Sequence, residues 1–251
     1  MKITNKFNLP EPIVEFLKQD FYDYDVKGDS ISATQLLKPV QEIVLIMRHS
    51  DEIEVDVSSM LWKVLGSGVH AVLEKLKEDN SEIIKRLFAD VDGVKISGKF
   101  DRIKDKKITD YKVTSAWSVV YDSRSKEWVE QLSIYRWLWF VTHAEELKDK
   151  GSIIAILRDW NERDAGKTNY PKSAMVEIEL DLMSLENTHK FISEKVKAIK
   201  DAIKIKDGEL PKCTNEERWW NEKKKVYNKC EKYCNAYKFC NQAKISVQET
   251  V

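Results

Sequence analysis

No cysteine occurs in the first 212 residues of this 251-residue chain, and the four that follow, Cys213, Cys230, Cys234 and Cys240, crowd towards its end. Net charge is also missing: 42 lysines and arginines stand against 42 aspartates and glutamates. That balance excludes the bulk attraction a basic protein exerts on polyanions, so any such partner has to be met by local patches. No apolar run approaches the roughly 18 residues of a membrane span. The opening MKITNKFNLPEP lacks the apolar core of a secretory signal. The expectation is a soluble, cytosolic (cytoplasmic) chain without a membrane partner, long enough for one sizeable domain and a small appendage. A reducing compartment disfavours disulfides, so the late cysteines read as a metal or iron-sulfur site, and four thiolates suit zinc or iron-sulfur chemistry alike.

What is present is periodic. A helix is predicted over Pro12 to Gln19, followed by an aromatic and acidic stretch, FYDYDVKGD, without recognisable chemistry. Ser32 is placed to cap a helical turn that Pro39 interrupts. Pro39 can open the next helix, VQEIVLIMRH, whose Arg48 and His49 suit a helix C-terminus as well as they suit a phosphate. From Ser58 to Lys77, Leu61, Val64, Leu65, Gly68, Val69, Val72, Leu73 and Leu76 follow the spacing of a buried helical stripe. His70 lies beside that stripe. Gly66 and Gly68 each weaken a helix by about 1 kcal/mol relative to alanine, which implies a close approach to the backbone there.

From Glu82 the period becomes that of strands. EIIKRLFADV, the turn pair Asp92-Gly93, VKISGKFDRI and ITDYKVTS form an antiparallel meander. The helix EWVEQLSIYRWLWFVTHAEELKD puts Gln131 and Tyr135 on one face. SIIAILRDW fits a buried parallel or central strand reached by that crossover helix, and MVEIELDL alternates like an edge strand. Ser184 caps a last long helix that Asp207-Gly208 ends. The class is α/β, a central mixed sheet flanked by helices with a C-terminal helical cysteine-cluster region.

Chemistry concentrates in GKFDRIKDKKITDYK. A hairpin turn centred between Asp105 and Lys106 makes Ile103 face Ile108 and sets Asp101 opposite Asp110, with Cβ atoms about 4.5–5.5 Å apart. Alternation puts Lys112 on the face of Asp110 and turns Tyr111 away. Facing carboxylates stay ionised only with a cation between them, and a hard divalent metal is the natural occupant. The plain alternative is a solvated hairpin. Lys99, Arg102, Lys104, Lys106 and Lys107 around it, and Lys223, Lys224, Lys225, Lys229 and Lys232 later, are local basic patches of the kind that is more often a solvated face than a polyanion site.

In order, the chain shows GSGVH (Gly66 to His70), GKFD (Gly98 to Asp101), DYK (Asp110 to Lys112) and QLSIY (Gln131 to Tyr135). This set resembles the RecB-like branch of the PD-(D/E)XK nuclease superfamily. The resemblance implies a restriction-endonuclease-like nuclease core at 32–206, between an N-terminal extension at 1–31 and a cysteine-rich region at 207–251. It implies a metal-dependent, phage-encoded DNA nuclease, an exonuclease on single-stranded DNA or duplex ends in recombination or repair, with any helicase partner left open. Asp101, Asp110 and Lys112 are then catalytic; His70, Asp101, Asp110 and the carbonyl of Tyr111 hold Mg2+ or Mn2+; Gln131 and Tyr135 contact DNA. Phe100 stands where many relatives have proline. Cluster-bearing relatives, such as the AddB subunit and the CRISPR-associated adaptation nucleases, place one cysteine before the core and three after it. Here all four follow, so the expected 4Fe-4S cluster needs Cys213 returned by a helix starting at Thr214, with zinc the alternative. A catalytically silent DNA-binding or scaffold protein with a structural zinc site is the competing reading.

Overall fold

A computed structural model of the chain describes residues 1–18, 30–73, 81–82 and 86–243. In chain order the elements are β1 (Lys2–Thr4), α1 (Glu11–Lys18), β2 (Ser30–Ser32), α2 (Ala33–Leu36), α3 (Val40–Arg48), β3 (Glu54–Asp56), α4 (Leu61–Leu73) and β4 (Ser81–Glu82). They continue with β5 (Leu87–Val91), β6 (Val94–Gly98), β7 (Arg102–Lys104), β8 (Lys107–Thr114), α5 (Ala116–Val120), α6 (Ser125–His143) and β9 (Lys150–Leu157). The last are β10 (Met175–Asp181), α7 (Leu185–Ala202), β11 (Trp220–Asn221), β12 (Val226–Tyr227) and α8 (Asn228–Lys232). These elements form two units, one of Phe21–Leu37 and Leu61–Ile192, the other of Met1–Asp20, Lys38–Met60 and Ser193–Val251. The aromatic and acidic stretch at 21–29 lies outside the described residues.

The first unit is built on a mixed sheet of order β10-β9-β8-β7-β4, in which β8 and β9 run parallel and the other neighbours antiparallel. A parallel pair needs a crossover, and α5 with α6 supplies it. The middle of α6 is buried nearly all round, with Trp128, Leu132, Ile134, Tyr135, Leu138 and Trp139 covered, the condition of an internal helix. The unalternating apolar run of β9 lies between β8 and β10, and β10 takes the edge, as their patterns predict. Asp105 and Lys106, at φ 50° and 60°, form the two-residue turn between β7 and β8, both left-handed as a type I′ turn requires. Ile103 therefore faces Ile108. Asp92 and Gly93, at φ 52° and 76°, close β5 onto β6 in the same way.

The expected meander is broken. β5 and β6 join β2 in a separate three-stranded sheet, while β7 joins β8. At the break a Cβ on Gly98 would lie 2.7 Å from Leu138 Cδ1 and 2.8 Å from Tyr135 Cδ1. Phe100, fully covered, packs on Tyr135 and Trp139. The chain leaves one sheet where it seats α6 and enters the other at Arg102.

The helix expected over Ser58 to Lys77 also differs. A 3-10 turn, Val57–Met60, precedes α4, and residues 74–80 lie outside the described residues. None of the residues of α4 is buried. Gly66, Ser67 and His70 are half-buried, as are Val64, Val69 and Leu73 of the apolar stripe, whereas Leu61, Leu65 and Val72 of that stripe are exposed. The polar flank is drawn inward beside part of that stripe, because His70 reaches Asp101, described below. A Cβ on Gly66 or Gly68 would meet nothing within 4 Å, so none of the described residues makes the expected close approach.

In the second unit β1 pairs in parallel with β3, and α3 buries Val44 and Leu45 against Ala202, Leu210, Ala236 and Cys240. Pro39 stands at the N-cap of α3. At the other end Arg48 Nη2 donates to the carbonyls of Ile203 and Ile205 at 2.8 and 2.7 Å, and Nη1 pairs with Asp207. Arg48 thereby satisfies carbonyls left over by the end of α7. His49 bonds Glu52 through Nδ1 at 2.7 Å and Asp207 through Nε2 at 2.8 Å, and stacks on Phe239. Two expectations fail here. α7 ends at Ala202 rather than at Asp207, because Arg48 and Asp207 take over the following turn, and residues after Thr214 form turns instead of a helix. Among the described residues no helix is long and apolar enough to cross a membrane.

Candidate functional site

Four segments of the first unit converge. β8 carries Asp110 and Lys112 on one face, α4 supplies His70, the bend before β7 supplies Asp101, and α6 supplies Gln131 and Tyr135. His70 Nδ1 lies 2.8 Å from Asp101 Oδ1. Asp101 Oδ2 accepts from the backbone N–H of Tyr111 at 2.7 Å, so Asp101 is tied to β8 through its side chain, one residue beyond the last regular pair of Arg102 with Thr109. Lys112 Nζ lies 2.6 Å from the buried Asp110 Oδ2.

Burial governs the electrostatics. Asp110 is 3% exposed, and loss of water raises its pKa; the Lys112 charge opposes that rise and Asp101 adds to it. Burial alone would lower the Lys112 pKa, but the charges of Asp110 and Asp101 outweigh it and hold the ammonium charged. The bond to Asp101 raises the His70 pKa against its own burial. Tyr135 Oη accepts from Gln131 Nε2 at 2.7 Å, both residues being 4% exposed. Burial raises the tyrosine's pKa and keeps it a neutral phenol.

Among the described residues no three His, Cys, Asp or Glu side chains stand close enough together to hold a metal ion. His70 with Asp101 and Lys112 with Asp110 form two closed pairs instead. The donor types still suit a hard cation, since Asp101 and Asp110 offer carboxylate oxygens and His70 an imidazole.

In the second unit all four cysteines line one pocket with Gln41, Glu42, Arg218, Lys229 and Gln242. Cys213 is brought there by Gln242, which accepts from its N–H and donates to its carbonyl, both at 2.9 Å. The thiols of Cys213 and Cys240 both donate to Gln41 Oε1, at 3.4 and 3.5 Å, and Arg218 Nε reaches Cys230 Sγ at 3.4 Å. Burial, with neighbouring negative charge, pushes the Cys213 thiol up to about 12 and the Cys234 thiol to about 11. A thiolate-binding metal reverses that preference, and the four sulfurs around one pocket suit such a group in chemistry. Sequence reasoning missed Gln41 and Glu42, each 5% exposed; Glu42 is held between Lys38 at 3.3 Å and Lys229 at 2.9 Å. Adjacent polar residues in the first turn of an otherwise apolar helix were the available signal.

A family model described as the PD-(D/E)XK nuclease superfamily matches residues 70–241. The chain belongs to the PD-(D/E)XK nuclease superfamily. The match begins at His70 and runs through all four cysteines. Membership supports a nuclease with DNA as substrate, and nucleases of this superfamily typically use Mg2+ or Mn2+. The mixed sheet flanked by helices is consistent with a restriction-endonuclease-like fold. A solved protein, SSO0001, has a similar fold, with a TM-score of 0.55 and 17% identity over 92% of this chain and 95% of that one. No curated protein matches the chain.

Proposed function

We propose that the chain is a Mg2+- or Mn2+-dependent DNA nuclease of the RecB-like branch, an exonuclease acting on DNA ends in recombination or repair. The observation that supports it most is the convergence of His70, Asp101, Asp110 and Lys112 from separate segments of the superfamily's fold. In this reading Asp101 and Asp110, with His70 and the Tyr111 carbonyl, hold the divalent ion. Such an ion, when bound, polarises a phosphate oxygen and lowers the pKa of an attacking water. Lys112, held charged, stabilises the negative charge that develops on the phosphate. Gln131 and Tyr135, hydrogen-bonded to each other on α6, would contact the DNA backbone near the scissile phosphate. Cys213, Cys230, Cys234 and Cys240 are assigned to an iron-sulfur cluster, with zinc as the alternative, whose binding contributes to folding of the second unit.

A second reading, a catalytically silent DNA-binding protein, is favoured by the two closed ion pairs. Digestion of end-labelled DNA with Mn2+ separates them. The wild type is expected to cut, and Lys112→Ala to lose about 100-fold or more in rate. Equal cutting by both would remove Lys112 from the reaction, whereas no cutting by the wild type would favour the silent reading. Iron, zinc and acid-labile sulfide measured on the same anaerobic preparation test the cysteines; absence of all three would overturn their assignment.

A further inference from the structure

Beyond the acidic pair, the carboxyl end of β8 is flanked by large aromatic side chains that the fold leaves in water. Trp62 is 61% exposed, Tyr121 72% and Trp117 41%. Large exposed aromatics forgo the burial that stabilises such side chains in a core, and when gathered beside a site they mark a binding surface.

Their placement follows from β8. Asp110, Lys112 and Thr114 share one face of the strand, so the face of the acidic centre leads within about 13 Å to Thr114. The Thr114 carbonyl accepts from Arg158 N–H at 3.0 Å. Arg158 lays its guanidinium over the Trp62 ring, 4.8 Å from its centroid. On the following residues Ser115 caps α5, and the carboxylate of Asp159 is consumed by Ser115 Oγ and Ala116 N, both at 2.6 Å. Trp117 comes next, stacked on Tyr121 with centroids 5.8 Å apart and planes 22° from parallel. The buried ring of Tyr170 braces it edge-on at 5.6 Å. Two platforms result, one a cation over an indole and the other a braced aromatic stack.

We infer that Trp62 with Arg158, and Trp117 with Tyr121, are stacking platforms for the bases of an unpaired DNA strand led to the acidic centre. Ring faces of this kind are met by unpaired bases, since the bases of a duplex already stack on each other. Arg158 adds the positive charge that a phosphate backbone seeks, and the continuity with β8 places the platforms along the path of a strand entering the site. This deepens the nuclease reading by naming single-stranded DNA as the substrate class, and rests on that reading only for the choice of DNA.

Binding without cleavage tests it independently of catalysis. Using Lys112→Ala protein without added Mg2+ or Mn2+, fluorescence polarisation compares an oligo-dT, a same-length strand of abasic sites and a duplex. The oligo-dT is expected to bind about tenfold or more tighter than the abasic strand. Trp62→Ala and Tyr121→Ala, at exposed positions, should each erase about fivefold or more of that preference, and Trp117→Phe, which keeps a ring, should retain most of it. Equal binding of the abasic strand and oligo-dT would overturn the inference even if the wild type cuts DNA. So would variants that keep the preference, or that lose duplex binding to the same extent. Self-association that Trp62→Ala dissolves would identify a second copy as the occupant and overturn it too.

Discussion

His49 shows how a residue that sequence leaves ambiguous is decided by its neighbours. Its two ring nitrogens each face a carboxylate, Glu52 and Asp207, an arrangement only the doubly protonated ring can serve as donor to both. The bond to Asp207, then that to Glu52, raises the His49 pKa, while His49 and then Arg48 lower that of Asp207. A histidine raised by folding contributes fully below its unfolded value of about 6.5 and loses that contribution as pH climbs through the raised value. A lowered aspartate contributes above about 3.9 and loses it as pH falls through the lowered value. The link is therefore strongest between about pH 4 and 6.5. Replacing His49 by Gln should cost about 1–2 kcal/mol at pH 6 and much less at pH 9. Melting curves of the two proteins across that range check this, and a constant difference in Tm would contradict it. Nothing in the VQEIVLIMRH pattern separates such a bridge from a phosphate contact, because Asp207 is far away in sequence.

Among the elements, those with a strong local signal were legible. The β7–β8 register follows from a turn whose two residues accept left-handed backbone, and β9 and β10 follow from unbroken against alternating apolar patterns. Two elements were not legible, for one reason: each is set by a partner distant in sequence. The orientation of α4 is fixed by the reach of His70 to Asp101, which draws its polar flank inward and leaves Leu61, Leu65 and Val72 of its apolar stripe exposed. The break between β6 and β7 is fixed by α6, which leaves no room for a side chain at Gly98. Adding that Cβ should therefore be felt. Gly98→Ala is expected to destabilise the chain by about 1–3 kcal/mol, seen as a lowered Tm and denaturant midpoint. An unchanged midpoint would mean that Leu138 and Tyr135 yield freely.

For the molecule as a whole, equal numbers of positive and negative side chains give no general pull on DNA, so recognition has to be built locally. The order of the four short motifs made the superfamily readable, because each motif sits where its own strand or helix must deliver a side chain. The cysteine pocket was readable only as a set of four sulfurs; Gln41, Glu42 and Gln242 come from elements that only the fold brings to it. Everything proposed about catalysis depends on Asp101 and Asp110 sharing one divalent ion. The most direct measurement is an anomalous difference map from crystals soaked in Mn2+. One strong peak is expected about 2.1 Å from a carboxylate oxygen of each aspartate, with the Lys112 ammonium drawn away from Asp110. A peak that touches neither aspartate, or none at a Mn2+ concentration that supports cutting, would contradict it.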